Sequence, residues 1–178
     1  MKILLSDQVK ELDKYTIDNE PVHPISLMER AARICADWII PKFDIGDDFK
    51  VFSGPGNNGG DGLAIARLLA EAGYYVEVFI IGKLSDLAEI NHHRLMEQNK
   101  AKVFTLKTED TFPVIDRRDI IIDCLFGSGL NRPLEGIYAK LVNHLNDSNA
   151  SIISIDIPSG LLAEDNSKQQ RISKDKKG

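Results

Sequence analysis

Residues Val51–Leu69 read VFSGPGNNGGDGLAIARLL. This pattern predicts a short apolar strand, a glycine-rich turn, and then a helix whose apolar residues recur at helical spacing. Five of the 13 glycines of the chain lie between Gly54 and Gly62. Glycines let other groups approach the backbone closely, and a helix N-terminus carries unpaired N–H groups. The turn is therefore predicted to bind an anionic group, and a plain flexible loop is the alternative.

Gly54, Gly56 and Gly59 also satisfy G-x-G-x-x-G, the fingerprint of dinucleotide-binding folds, between a predicted strand and a predicted helix. That fingerprint requires an acidic residue at the end of the next strand, about 20 residues further on. Glu77 lies at about that distance, but the apolar residues 78–81 follow it. It is therefore predicted inside the strand, which weakens this interpretation. No Gly-Lys-Ser/Thr is present, so the turn is not a P-loop.

The composition is that of one soluble globular domain. A chain of 178 residues can bury a sizeable core. Its net charge of −5 argues against a nucleic-acid partner. No apolar run approaches the roughly 20 residues of a membrane helix, and the N-terminus is too polar for a signal peptide. Cys35 and Cys124 form no CxxC pair and are predicted to be buried, reduced thiols, which favours a cytoplasmic location.

Helical and strand patterns alternate along the chain. Helix 6–19 is followed by a second helix, predicted to begin with a capping box of Ser26 and Glu29 and to end near Ile40, before Pro41. The later elements are strand 50–53, helix 61–72, strand 75–81, helix 85–98, strand 102–106, an apolar strand over 120–126, a helix near 134–146 and strand 151–156. This alternation predicts an α/β fold, a three-layer α/β/α Rossmann-like domain with a mainly parallel sheet.

A second group of polar residues follows the apolar strand at 120–122. Residues Asp123–Pro133 read DCLFGSGLNRP. A carboxylate at the end of a buried strand is costly unless it is paired or binds a cation, and ligands bind at this edge of open α/β sheets. Arg132 is a candidate for phosphate binding. The alternatives are a helix N-cap for Asp123 and a solvated Arg132.

A third group ends the last predicted strand. Residues Ser154–Leu161 read SIDIPSGL, so that an acid, Asp156, again ends an apolar strand. Pro158 and Gly160 predict a sharp turn that presents Ser159. The alternative is an acid-capped turn without function. Because parallel strands end at one edge of the sheet, we expect Asp61, Asp123 and Asp156 to lie near one another there.

The three segments closely resemble the signature motifs of the YjeF N-terminal domain family, the NAD(P)H-hydrate epimerases. The resemblance covers roughly residues 1–162. It implies a YjeF N-terminal-like fold and contacts to a hydrated nicotinamide nucleotide, NADHX or NADPHX. The residues implied in these contacts are Asn57, Asn58, Gly59, Gly60, Asp61, Gly127, Ser128, Gly129, Leu130, Asn131, Arg132, Pro133 and Asp156.

The resemblance also implies a potassium ion held by Asn58, Asp123 and Ser159, an all-oxygen set that suits a hard cation. It implies a homodimer, with the two N-terminal helices packed on the sheet, and fusion to or joint action with an NAD(P)H-hydrate dehydratase. Residues 1–163 would form the epimerase domain. The polar tail 164–178 is predicted to be disordered, and the C-terminal strands that the family normally adds are expected to be missing.

The first functional hypothesis is an epimerase that interconverts the R and S forms of NADHX and NADPHX, with Asp156 as the proton-transfer group. The second is a non-enzymatic nucleotide- or protein-binding module of the same fold, a role for which Asp61, Asp123 and Asp156 need not all be present. A nucleotide-dependent dehydrogenase is a third reading. The chain shows no second domain for another substrate, which counts against it.

Overall fold

A parallel five-stranded sheet with helices on both faces makes up the described part of the chain, residues 6–20 and 22–163 of the computed structural model. The predicted disorder of the tail 164–178 lies outside the described residues. The helices are α1 (Ser6–Asn19), α2 (Pro24–Ile39), α3 (Asn57–Glu71), α4 (Asp86–Gln98) and α5 (Gly136–Asp147). The strands are β1 (Asp48–Ser53), β2 (Tyr75–Ile81), β3 (Lys102–Leu106), β4 (Ile120–Cys124) and β5 (Ser151–Ser154). Short 3₁₀ turns cover Ile40–Lys42 and Glu109–Thr111.

The strand order is β3-β2-β1-β4-β5, and all neighbouring strands are parallel. In the centre, Val51 of β1 lies opposite Val78 of β2 and Ile122 of β4. The chain order reverses between β1 and β4. In open α/β sheets a crevice forms outside the carboxyl ends of the strands at such a reversal, and ligands bind there.

The central strands β1, β2 and β4 are buried on both faces, which confirms the predicted three-layer α/β/α fold. Phe49, Val51 and Ile122 pack under the layer of α2, α3 and α4. Phe52 and Ile121, whose side chains alternate with these along the strands, pack on the opposite face with α5. Burial on both faces explains why β4 begins with three consecutive isoleucines, at positions 120–122. Within the described ranges, no helix is long and apolar enough to cross a membrane.

The glycine-rich segment is largely helix rather than turn, so the predicted helix start at residue 61 is wrong. Helix α3 begins at Asn57, with Gly56 as its N-cap. No glycine from Gly54 to Gly62 has a positive φ. A Cβ on Gly59 would lie 2.0 Å from the Gly54 carbonyl oxygen, and one on Gly62 would lie 2.6 Å from Cβ of Cys124. These glycines are therefore required by close packing of α3 on the ends of β1 and β4.

Helix α2 begins at Pro24, so the predicted capping box is wrong. Its N-cap is His23, whose Nδ1 accepts a long 3.5 Å hydrogen bond from the N–H of Ile25. Proline suits the first helical position because its fixed φ is helical and its missing N–H would be unpaired there. Glu29 instead forms ion pairs with Arg67 and Arg94.

Two further expectations need correction. Strand β5 ends at Ser154, so that Asp156 lies in the turn beyond it rather than at the strand end. Cys35 is only half-buried, whereas Cys124 is fully buried, and both are free thiols. Cys35 lies on α2, whose outer face is exposed.

Candidate active site

A cleft of about 620 Å³ lies outside the carboxyl ends of β1 and β4. Its wall is built from the turn after β1, the start of α3, the loop after β4, the turn after β5 and one side of α1. The lining residues are Val9, Asp13, Pro55, Gly56, Asn57, Asn58, Asp61, Leu125, Phe126, Gly127, Ser128, Gly129, Leu130, Asn131, Arg132 and Asp156. The three segments singled out in the sequence thus meet at one place, the crevice at the reversal of strand order.

Most of the residues predicted to contact substrate line this cleft, and three do not. Gly59 packs against the Gly54 carbonyl, and a Cβ on Gly60 would meet Sδ of Met28 at 2.9 Å, so both lie behind the wall. Pro133 lines a neighbouring cleft of about 470 Å³ at the start of α5. The roles of all these residues in binding stay predictions.

The backbones of the two central loops are in direct contact at the base of the cleft. The N–H of Gly54 donates to the Cys124 carbonyl at 3.1 Å, and a Cβ on Gly54 would lie 1.8 Å from the carbonyl oxygen of Leu125. Ser53 Oγ donates to the Gly59 carbonyl at 3.0 Å, which fixes the first turn of α3 to β1. No side chain caps α3, so its first N–H groups remain available to an anionic group.

Asp123 joins the end of β4 to the turn after β5. Its Oδ1 accepts hydrogen bonds from the Ser159 hydroxyl at 2.6 Å and from the N–H of Leu125 at 3.2 Å. Its Oδ2 accepts from the N–H of Ser159 at 2.9 Å and from the Ser154 hydroxyl at 3.2 Å. Four donors compensate the burial of this carboxylate. Asp123 is therefore not a helix N-cap, and it holds the third segment against the second.

Asn58 carries the unpaired polar atoms of the cleft wall. Its Oδ1 and Nδ2 are both buried, and neither has a hydrogen-bond partner among the described residues. The side chain lies beside Gly127, where a Cβ would come within 3.3 Å of Asn58 Cγ. Burying an amide without partners costs free energy, so such a group in a native structure calls for an explanation such as a ligand.

The predicted potassium ligands are compatible with a hard cation in their chemistry. Asn58, Asp123 and Ser159 offer an amide, a carboxylate and a hydroxyl oxygen, and the unpaired Asn58 oxygen can accept a further partner. Residues 6–20 and 22–163 contain no cluster of three or more His, Cys, Asp or Glu residues that could hold a metal.

Asp156 is held in an unusual backbone conformation. Its φ is +69°, in the left-handed region that residues other than glycine rarely adopt. Its Oδ2 accepts a hydrogen bond of 2.6 Å from the N–H of Ser128. A Cβ on Gly127 would lie 2.5 Å from this oxygen, so the glycine makes room for the carboxylate. Strained residues of this kind concentrate at functional sites.

Asp61 is a mostly buried acid without a partner among the described residues. It lines the cleft from α3 and forms no hydrogen bond or ion pair with any residue of the described ranges. Burial, and then the negative charges of Asp156 and Asp13, raise the pKa of Asp61 to about 7. Near neutral pH this carboxyl group is therefore a mixture of its protonated and ionised forms, so it can both give and take a proton.

The two thiols are not candidate nucleophiles. Burial, followed by the charge of Asp61, raises the pKa of Cys35. Burial, followed by the charge of Asp123, raises the pKa of Cys124 well above its usual value. The thiolate is the reactive form, so both shifts reduce reactivity.

Val9 and Asp13 of α1 line the cleft although neither was predicted as a site residue. The amphipathic pattern of α1 predicts a helix but not which element it faces, so no local signal could have assigned them. Four further residues line the cleft although none of them was predicted to contact substrate: Pro55, Gly56, Leu125 and Phe126. They lie within or beside the recognised motifs, and a simple extension of each motif would have included them.

Comparison with known proteins gives consistent matches. The family model described as YjeF-related protein N-terminus matches residues 24–174. A protein of Limosilactobacillus reuteri named NAD(P)H-hydrate epimerase is 35% identical over 161 residues, which are 90% of this chain and 74% of that protein. A protein of Thermofilum pendens named bifunctional NAD(P)H-hydrate repair enzyme is 36% identical over 90% of this chain, but this is 32% of its own length. The crystal structure of the yeast protein ynu0 superposes with a TM-score of 0.79 at 26% identity, over 90% of this chain and 72% of that one.

Proposed function

This chain belongs to the family of YjeF-related protein N-termini, and we propose that it is an NAD(P)H-hydrate epimerase. The reaction is an isomerisation that interconverts the R and S forms of NADHX and NADPHX, the hydrated forms of NADH and NADPH. One observation carries the proposal on the structural side. The three motif segments line a single cleft whose volume of about 620 Å³ falls in the usual range for small-molecule sites.

The cleft offers suitable groups for both ends of a nucleotide. The uncapped start of α3 and the guanidinium of Arg132 can bind phosphate. The carboxyl groups of Asp61 and Asp156 can act on the hydrated ring. We propose these substrate contacts because the residues line the cleft. The same holds for contacts from Asn57, Asn58 and residues 127–131.

The chemistry requires a proton-transfer group. The substrate carries a hydroxyl on the ring carbon beside the nitrogen, and protonation lets this hydroxyl leave as water because the nitrogen stabilises the resulting cation. Water that returns on the other face gives the other epimer. We assign proton transfer to Asp156, which faces the cleft and whose Oδ2 is oriented by the N–H of Ser128.

Potassium is proposed as the bound ion, held by Asn58, Asp123 and Ser159. The unpaired amide of Asn58 supports this assignment. A cation there would balance the negative charge of the acids around the cleft and help to orient the substrate. Asp123 and Ser159 already fasten the end of β4 to the turn after β5 through their hydrogen bonds.

Two partners are proposed as well. The Thermofilum pendens relative is named bifunctional, which supports joint action with a second repair activity, proposed here to be an NAD(P)H-hydrate dehydratase. A homodimer is proposed through the N-terminal helices, because Ile34 and Trp38 lie one turn apart on α2 with exposed fractions of 66% and 55%. Sedimentation of the wild type and of Trp38→Glu would test the dimer.

The function is tested by supplying a mixture of NADHX epimers together with a dehydratase that consumes only one of them. Epimerase activity would let the dehydratase consume the whole mixture, whereas without it the reaction stops when the preferred epimer is exhausted. The rate is corrected for epimerisation without protein. Tight binding of NADHX without any epimerisation would instead favour the binding-module hypothesis.

A further inference from the structure

We infer that Asp61 is a second proton-transfer group of this site and works as a pair with Asp156. Asp61, in its protonated form, gives a proton to the hydroxyl that leaves one face of the ring. Asp156, as a carboxylate, takes a proton from the water that returns to the other face. The inference rests on the proposed epimerase function and divides its chemistry between two named residues.

The environment of Asp61 favours a neutral acid. Its carboxyl group is mostly buried in the wall of the cleft, and no hydrogen bond or ion pair compensates it within the described ranges. By contrast, Asp123 is buried at the end of β4 and receives four hydrogen-bond donors. An uncompensated buried carboxyl group is stable when it keeps its proton. Its pKa of about 7 agrees with this.

The environment of Asp156 favours an acceptor. The backbone N–H of Ser128 can only donate, so Oδ2 of Asp156, which it meets at 2.6 Å, serves as the acceptor. The residue is exposed, and its left-handed backbone fixes the direction in which the carboxylate leaves the chain. Two carboxyl groups in one site with different environments are the usual arrangement for an acid and a base.

The two acids approach the cleft from different elements. Asp61 comes from α3, in the layer on one face of the sheet, and Asp156 from the turn after β5. Among the described residues, four other charged or titratable groups lie around Asp61: Asp13 of α1, Arg132 of the loop after β4, and the thiols of Cys35 and Cys124. Asp13 and Asp156 both act on Asp61 as negative charges and so favour its protonated form.

The step balances without any further reagent. The bond between the ring carbon and the hydroxyl oxygen breaks as Asp61 gives its proton to that oxygen. The hydroxyl departs as water, and the ring is left as a cation. Water then adds to the opposite face, and the proton it loses moves to Asp156. The site now has an ionised Asp61 and a protonated Asp156, which is the state required for the reverse conversion.

The test is oxygen exchange in H₂¹⁸O with each purified epimer, using Asp61→Asn and Asp156→Asn at saturating potassium. Each variant should lose epimerisation by roughly 10²–10⁴-fold. Each should still exchange the hydroxyl of one epimer with retention of configuration, because its remaining acid can expel and re-add water on one face. The epimer that exchanges should differ between the two variants. Asp86→Asn, an exposed acid at the start of α4, is the control and should behave as the wild type.

The pairing would be overturned if Asp61→Asn epimerised NADHX at the wild-type rate, or if that variant exchanged the hydroxyl of both epimers. If the wild type binds NADHX but does not epimerise it, the proposed function itself fails, which is a different result. The pH profile of the wild type gives a second measurement that needs no variant. Its kcat/KM should fall as the pH rises through about 7, because Asp61 loses its proton there. A kcat/KM that shows no such fall up to pH 9 would also overturn the inference.

Discussion

At the scale of single residues, the proposed catalytic role of Asp156 can be tested by a substitution that should leave the fold intact. Asp156→Asn should lower epimerisation by roughly 10²–10⁴-fold, because the amide cannot exchange a proton. Folding should be nearly unchanged, since the residue is exposed and asparagine tolerates the left-handed conformation that its φ of +69° requires. The coupled assay and a thermal melt measure the two effects. A fully active variant would move the chemistry away from this residue.

Asp123 should respond in the opposite way, with stability affected before chemistry. In Asp123→Asn the amide group Nδ2 replaces one of the two carboxylate oxygens. It would then face the N–H of Ser159 or of Leu125, so that two donors would meet without an acceptor. Leaving a buried donor unpaired costs roughly 1–3 kcal/mol. Urea unfolding should therefore show a lower free energy of unfolding for Asp123→Asn than for Asp156→Asn. Equal stabilities would mean that the hydrogen bonds of Asp123 contribute little to the fold.

Asp61 predicts a pH dependence of stability. Its folded pKa of about 7 lies above the ordinary value of 3.8, so between these values the folded state binds more protons than the unfolded state. The stability contributed by the protonated form is fully present below pH 4 and is lost as the pH rises through 7. Relative to the wild type, Asp61→Asn should therefore gain roughly 2 kcal/mol in free energy of unfolding between pH 5 and 8. A difference that does not change with pH would contradict the raised pKa.

At the scale of elements, the glycines of α3 are predicted to differ in their tolerance of a methyl group. A Cβ on Gly59 would lie 2.0 Å from the Gly54 carbonyl oxygen, and backbone cannot move aside as a flexible side chain can. Gly59→Ala should therefore lower stability by about 3 kcal/mol or more. Gly56→Ala is the matched control, because a Cβ there meets nothing within 4 Å and the φ of −90° suits alanine. Equal melting temperatures for Gly59→Ala and Gly56→Ala would refute this account of the packing.

The bounds of helices and strands were predicted well where the local apolar pattern of the sequence matches the burial of the residues in the fold. Strands 75–81 and 102–106 were predicted with the bounds that the structure shows, because apolar residues and flanking breakers marked both ends. The start of α3 was missed because Gly59 and Gly62 are unfavourable in isolated helices, and only tertiary contacts to Gly54 and Cys124 explain them. Propensity carries no information about those contacts.

The candidate site was predictable in its segments but not in its internal chemistry. Parallel strands place their ends at one edge, which is why Asp61 and Asp156 could be expected to share a cleft. Nothing local distinguishes a carboxylate with four donors, such as Asp123, from one without a partner, such as Asp61. That difference depends on Ser154 and Ser159, which are more than 30 residues away from Asp123 in sequence. It depends equally on the lack of a hydrogen bond to Asp61 from any described residue.

At the scale of the whole molecule, the proposed ion connects three parts of the fold. Asn58 belongs to α3, Asp123 to β4, and Ser159 to the turn after β5, so a cation bound by all three would stabilise the folded state as a unit. Binding to the folded state alone adds about 2.7 kcal/mol when the ion is present at 100 times its Kd. Potassium should therefore raise the Tm more than lithium at equal ionic strength, because charge screening is the same for both salts.

Asn58→Ala supplies the control for this last prediction. The Asn58 amide has no hydrogen-bond partner among the described residues, so removing it should cost little stability when potassium is absent. The variant should nevertheless lose the difference in Tm between potassium and lithium, since it lacks one of the proposed ligand oxygens. Gly129→Ala, which alters an open position of the same cleft, should keep that difference. Equal shifts of the wild-type Tm by the two salts would remove the ion from the proposed site and leave the unpaired Asn58 amide to a contact with the nucleotide.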